Sequence, residues 1–69
     1  MRRVIRSKGT RQYLGKDGTW TRFSDRATSF STAADAVAAK TRYQLRQVEI
    51  VLEMLDAANP RYDLIVPLP

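Results

Sequence analysis

The apolar positions of this chain come first as short β-branched and aromatic runs, then as an alanine-rich stretch, and last as a run that fits two periods. Arg3-Val4-Ile5-Arg6 is a short β-branched segment, and Lys8-Gly9-Thr10 is a turn candidate. Two strand-like runs follow, Arg11 to Lys16 and Thr19 to Ser24, separated by Asp17-Gly18. Asp and Gly best tolerate the positive φ that both central residues of a type I′ turn require, so the pair predicts a two-residue hairpin. That turn sets Lys16 opposite Thr19, Gly15 opposite Trp20, Leu14 opposite Thr21, Tyr13 opposite Arg22 and Gln12 opposite Phe23. Side chains alternate between faces along a strand. One face is then expected to carry Arg11, Tyr13, Trp20 and Arg22, and the other Gln12, Leu14, Thr21 and Phe23.

A helix is predicted to begin at Thr32. Thr32-Ala33-Ala34-Asp35 has the spacing of a capping box, with a hydroxyl for the first free N–H groups and a carboxylate three residues on. The alanines from Ala33 to Ala39 favour a helix and let it lie close to a sheet, and Phe30 is placed to fill the corner of the core. The end of the helix is open to two readings, because no Gly or Pro lies between Thr19 and Asn59. In one, the helix stops near Tyr43 and Gln47 to Leu55 is a strand. Val48, Ile50, Leu52 and Met54 then point inward, and Glu49 and Glu53 point out with Val51 between them. In the other, it runs to about Ala58, with Leu45, Val48, Leu52 and Leu55 on one face. Ile50, Met54 and Tyr43 would then form a second apolar stripe, which calls for a dimer. The tail from Arg61 holds Leu64-Ile65-Val66 followed by Pro67-Leu68-Pro69. It is expected as an edge strand or an extended segment, tucked onto the core or docked to a partner.

These elements give an α+β fold: a three-stranded antiparallel sheet packed on one helix, with a closing strand. The alternative is a hairpin sheet plus one long helix, dimeric. Residues 1–59 are expected as a single α+β domain and residues 60–69 as a C-terminal apolar tail. At 69 residues the chain has room for one domain, and a chain this short buries only about 60% of its unfolded surface.

Composition narrows the chemistry. There is no cysteine and no histidine, which removes thiol nucleophiles, zinc–thiolate sites and the usual neutral-pH base. No cofactor and no metal are expected. Twelve Lys and Arg against seven Asp and Glu give +5. The excess is uneven: residues 1–26 hold eight bases and two acids, or +6, and the remainder is near neutral at −1. A basic end of this kind suits phosphate partners. No signal-peptide pattern follows Arg3, and no run approaches the length of a membrane helix, so the expected setting is cytoplasmic.

The run Tyr13-Leu14-Gly15-Lys16-Asp17-Gly18-Thr19-Trp20-Thr21, with Ala27, Phe30-Ser31-Thr32, Ala36 and Val48-Glu49-Ile50-Val51, resembles a loose set of very small phage and bacterial proteins, mostly uncharacterised. The likeness covers about residues 4–53, and its motifs are structural. It implies the short helix and the closing strand, although a glycine between the two is missing here. Phe30-Ser31-Thr32-Ala33-Ala34-Asp35-Ala36 also resembles, over a short span, the helix start that follows the three-stranded DNA-binding sheets of tyrosine-integrase arm domains and plant ethylene-response regulators. In those families the basic sheet enters the major groove.

No phosphate-cradling glycine loop, acid pair or Ser/base constellation is present in the sequence, so a non-enzymatic binding module is expected. The candidate nucleic-acid-binding residues are Arg3, Arg6, Arg11, Tyr13, Trp20 and Arg22. Arginines suit phosphates and aromatics suit bases. The competing expectation makes Tyr13 and Trp20 core residues covered by the helix. The alternative function is a protein-binding accessory or inhibitor of host machinery, or a structural protein, as a monomer or homodimer.

Overall fold

In the computed structural model the described residues are 2–54 and 62–67. They form an α+β unit with β1 (Arg2–Ser7), β2 (Tyr13–Leu14), β3 (Trp20–Thr21), α1 (Ala33–Arg42), β4 (Val48–Met54) and β5 (Tyr62–Pro67). The five strands make one sheet in the order β3-β2-β1-β4-β5, with every neighbour antiparallel. The strand-strand-strand-helix-strand order is therefore as expected. Of the two forms open to the tail, Tyr62–Pro67 takes the edge strand, beside β4.

The centre of the sheet is the β1–β4 pair, which runs in register from Arg2 opposite Glu53 to Ser7 opposite Val48. Both segments are rich in β-branched residues, which suit a pleated surface covered on both sides. On the helix side, Ile5, Leu14, Ala36, Val48 and Ile50 form a buried cluster, flanked by Phe30, Ala39, Leu45 and Leu52. Ala36 is fully buried and its small size brings α1 close to the sheet. On the opposite side, Val4, Ala27 and Val51 form a second cluster against which Tyr13 packs. Each large aliphatic side chain buried in this way contributes about 1.5–3 kcal/mol.

The start of α1 follows the capping box: Thr32 Oγ1 accepts from the Asp35 amide at 3.1 Å. Its end excludes the long helix. Gln44 adopts φ 54, its amide donates to Thr41 O at 3.2 Å, and the Leu45 amide donates to Lys40 O at 2.9 Å. These two bonds are the pair that closes a helix through a left-handed residue, a position usually held by glycine. Leu45 and Ala39 then pack on the same core cluster. The chain leaves the helix and enters β4 through Gln47, also at positive φ (53).

The hairpin turn has the expected backbone but not the expected register. Asp17 (φ 59) and Gly18 (φ 77) both take positive φ, and the Thr19 amide donates to Lys16 O at 3.2 Å. However, the Gly15 amide, not that of Lys16, donates to Thr19 O. One extra residue is thus accommodated on the β2 side, as in a bulge. Leu14 then faces Trp20, and Tyr13 faces Thr21. A one-residue slip exchanges faces. Leu14 is held in the helix-side core at 1% exposure, so it is β3 that shifts. The expected grouping of Tyr13 and Trp20 on one face is corrected: they lie on opposite faces.

The chain after β3 passes from one side of the sheet to the other. A 3₁₀ turn at Ser24–Arg26 leads to Ala27, which packs on Val4 and Val51 away from the helix. The Thr28 amide then donates to Leu14 O at 2.9 Å and the Phe30 amide to Arg3 O at 2.7 Å. Phe30 ends on the helix side. Residues 27–30 therefore take the flank of β1 that short β2 leaves open.

Candidate nucleic-acid interface

The arginines of β1 are used within the fold. Arg2 donates to Ser24 O (2.8 Å), Ala27 O (2.9 Å) and Glu53 Oε1 (3.1 Å). Arg3 donates to Phe30 O (3.2 Å) and Ser31 O (2.7 Å), fastening the approach to α1. Arg6 donates to Glu49 Oε2 at 2.7 Å, with side-chain exposures of 11% and 10%. Burial by itself would lower the Arg6 pKa, but the hydrogen bond to Glu49 and its charge, with a further contribution from nearby Tyr13, outweigh it and leave Arg6 above its ordinary value. Among the described residues, Arg6 Nε is buried without a hydrogen-bond partner, which offsets part of what the pair contributes.

β4 supplies both acids. Its alternation holds, with Val48 and Ile50 in the helix-side cluster and Glu49 and Glu53 on the other face. That face is not solvent, however, and both glutamates are only 7% exposed. The expectation that they point out is corrected in this respect: they are buried on that face in pairs with Arg6 and Arg2, beside the cluster on which Ala27 and Tyr13 pack. The fold also brings two acids from outside residues 1–26 against Arg2 and Arg6. The local excess of +6 less these two charges becomes +4.

The other candidates are open. Arg11 is exposed in the β1–β2 turn, at φ 63, where its amide donates to Ser7 O at 3.0 Å. Trp20 on edge strand β3 is 39% exposed, so it is not the covered core residue of the competing expectation, whereas half-buried Tyr13 packs on the Val4 cluster. Arg22 follows β3 and is exposed. The six candidates therefore do not share a surface. Arg3, Arg6 and Tyr13 belong to the framework, while Arg11, Trp20 and Arg22 face solvent.

The structure adds residues that pattern reading missed. Phe23 is 59% exposed, and the Arg26 guanidinium lies 5.5 Å from its ring centroid. The signal was the three-residue spacing of Phe23 and Arg26 across a 3₁₀ turn, whereas strand alternation only grouped Phe23 with Leu14 on one face. Beside the hairpin turn, the Tyr43 ring rests on Gly18, where an added Cβ would come within 2.9 Å of it. Arg42 lies 5.6 Å from the Tyr43 ring centroid. A cleft of about 410 Å³ opens between turn and helix, lined in part by Lys16, Asp17, Asp35, Arg42 and Tyr43. Exposed aromatics and guanidinium groups thus gather along β3 and at the turn end of the molecule.

Among the described residues no group of His, Cys, Asp and Glu is arranged to hold a metal ion, and no helix is long and apolar enough to cross a membrane. Compared with known proteins, the chain matches no family model, no curated protein and no solved structure.

Proposed function

We propose that this chain is a small non-enzymatic binding module that contacts nucleic acid, free or within a nucleoprotein, along its β3 edge. The observation that carries this reading is the exposure of Trp20 and Phe23 beside Arg22 and Arg26. A small domain gains stability by covering its largest side chains, so leaving Phe23 largely and Trp20 partly exposed favours an external use. Stacking on aromatics is worth about 1–3 kcal/mol per base and tolerates any sequence. The neighbouring guanidinium groups suit the phosphates between stacked bases.

The geometry favours a single strand over a duplex. The sheet face away from the helix is occupied near β1 by Ala27, by the Ser24 and Ala27 carbonyls that bind Arg2, and by the two ion pairs. Entry of that face into a major groove, as the likeness to integrase arm domains implies, is therefore blocked near β1. A strand laid along a two-residue edge needs no such insertion. The same reading takes the protein as cytoplasmic and without a cofactor.

Fluorescence anisotropy of a labelled single-stranded oligonucleotide at two salt concentrations tests it. Binding should weaken with salt, and Arg22→Ala and Arg26→Ala should each reduce the log–log slope by about 0.7. Trp20→Ala should weaken binding about 5- to 150-fold, the equivalent of about 1–3 kcal/mol, with an unchanged circular-dichroism spectrum. Absence of binding, or binding indifferent to both salt and Trp20, would overturn the proposal. Exposed Leu64, Ile65 and Val66 favour the protein-binding alternative. Deleting residues 60–69 does not separate the two readings, because it strips β5 from β4.

A further inference from the structure

β5 closes one side of the sheet, and among the described residues no strand pairs with its outer edge. Leu64 (48% exposed) and Val66 (40%) face the helix side, opposite Leu52 and Ile50, while Ile65 (52%) faces the other side, opposite Val51. Leu64, Ile65 and Val66 are thus exposed on both faces of the strand. Edge strands usually carry charge, a bulge or a cover that prevents further pairing. Within residues 62–67 the sequence supplies one charged residue, Asp63, and Pro67 near the end.

We propose that β5 pairs antiparallel with β5 of a second copy about a two-fold axis through Ile65, giving a continuous ten-stranded sheet. The pattern of the strand selects this partner and this register. Centred on Ile65, the pairing sets Ile65 opposite its own copy, Leu64 opposite Val66, and Asp63 opposite Pro67. Every exposed apolar residue meets another, and the two Asp63 residues do not face each other. Centring one residue earlier sets Ile65 against Asp63. Centring one residue later keeps only Ile65 to Pro67 within the paired strand. Register is fixed by such matching of apolar positions.

Charge points the same way. The chain carries +5, so contact between copies through the hairpin end sets cations against cations. The β5 edge, with no Lys or Arg from Tyr62 to Pro67, avoids this. The two-fold axis is perpendicular to the sheet, so both α1 helices lie on the same side. Half-buried Leu52 then continues an apolar row through Leu64 to the partner's Val66. Both β3 edges remain free at the far ends.

The chain has no cysteine, which allows a clean crosslinking test. Directly opposed residues in an antiparallel pair have Cα atoms about 4.5–5.5 Å apart, within the roughly 4.4–6.8 Å that a disulfide spans. Ile65→Cys should therefore form a disulfide-linked dimer rapidly under mild oxidation. Leu64→Cys should crosslink at least tenfold more slowly, because its copy lies two residues, about 6.8 Å, further along the strand. Light scattering on the unmodified protein should give twice the 7.9 kDa of one chain, and Ile65→Lys should return it to one. A chain that remains single up to about 1 mM, the equivalent of about −4 kcal/mol, would overturn the proposal and leave the edge to a strand of another protein. Equal crosslinking of the two cysteine variants would overturn it too. If Ile65→Lys unfolds, the crosslinking comparison decides.

Discussion

Arg6 and Glu49 meet at 2.7 Å with only about a tenth of each side chain in solvent, and this burial makes each sensitive to loss of the other. A pair taken out of water contributes little net stability, yet loss of one partner leaves the other charge stranded. Glu49→Gln or Arg6→Met should cost about 3 kcal/mol in urea unfolding, whereas Arg6→Met with Glu49→Leu should fall within about 1 kcal/mol of the unmodified protein. The Arg6 pKa is raised. Its contribution is therefore complete at any pH below the ordinary arginine value and is lost only as strong alkali carries the pH through the higher folded value. Arg6 adds no pH dependence near neutrality. A trace of this arrangement stood in the sequence: Arg2 and Arg6 share a spacing of four with Glu49 and Glu53. In an antiparallel register those spacings superimpose. Alternation alone could say that the glutamates leave the helix face, but not that the face they enter would be covered and each would be paired there.

At the scale of elements, the hardest feature to read was where α1 ends. The N-terminus was legible, since Thr32 and Asp35 satisfy free amides by a local rule of spacing. The C-terminus had no such mark, because a left-handed glutamine stands where a glycine is usual. A non-glycine residue there costs of the order of 1 kcal/mol, which the burial of Leu45 and β4 outweighs. Gln44→Gly should therefore stabilise the protein by about 1 kcal/mol and raise the melting temperature by about 4–8 °C in calorimetry. A fall in the melting temperature would show that the glutamine side chain matters more than its backbone. The hairpin shows the converse case. The positive φ of Asp17 and Gly18 was legible in two letters, but the register depended on which residues of β2 the distant core would hold. Local chemistry chose the turn, and Leu14 chose the pairing.

At the scale of the whole molecule, the basic excess of the first 26 residues proved only partly available to a partner. Which arginines remain free depends on strands far along the chain, and no window of sequence contains that information. Arg2 and Glu53 are 51 residues apart, and Arg6 and Glu49 are 43 apart. That same separation governs how the protein forms. The β1–β4 pair cannot close until most of the chain is present, and closing so long a loop must precede the gain from burial. Refolding followed by Trp20 fluorescence in a stopped-flow instrument should be slow for this length, in about the millisecond-to-second range typical of non-local pairings rather than the microseconds of helical bundles. On the ribosome the delay lengthens. At roughly 5–20 residues per second, about 2–9 s pass between synthesis of Val4-Ile5 and of the Ile50-Val51 they pair with. For that interval Val4 and Ile5 have β2 within reach but lack the central strand that completes their burial.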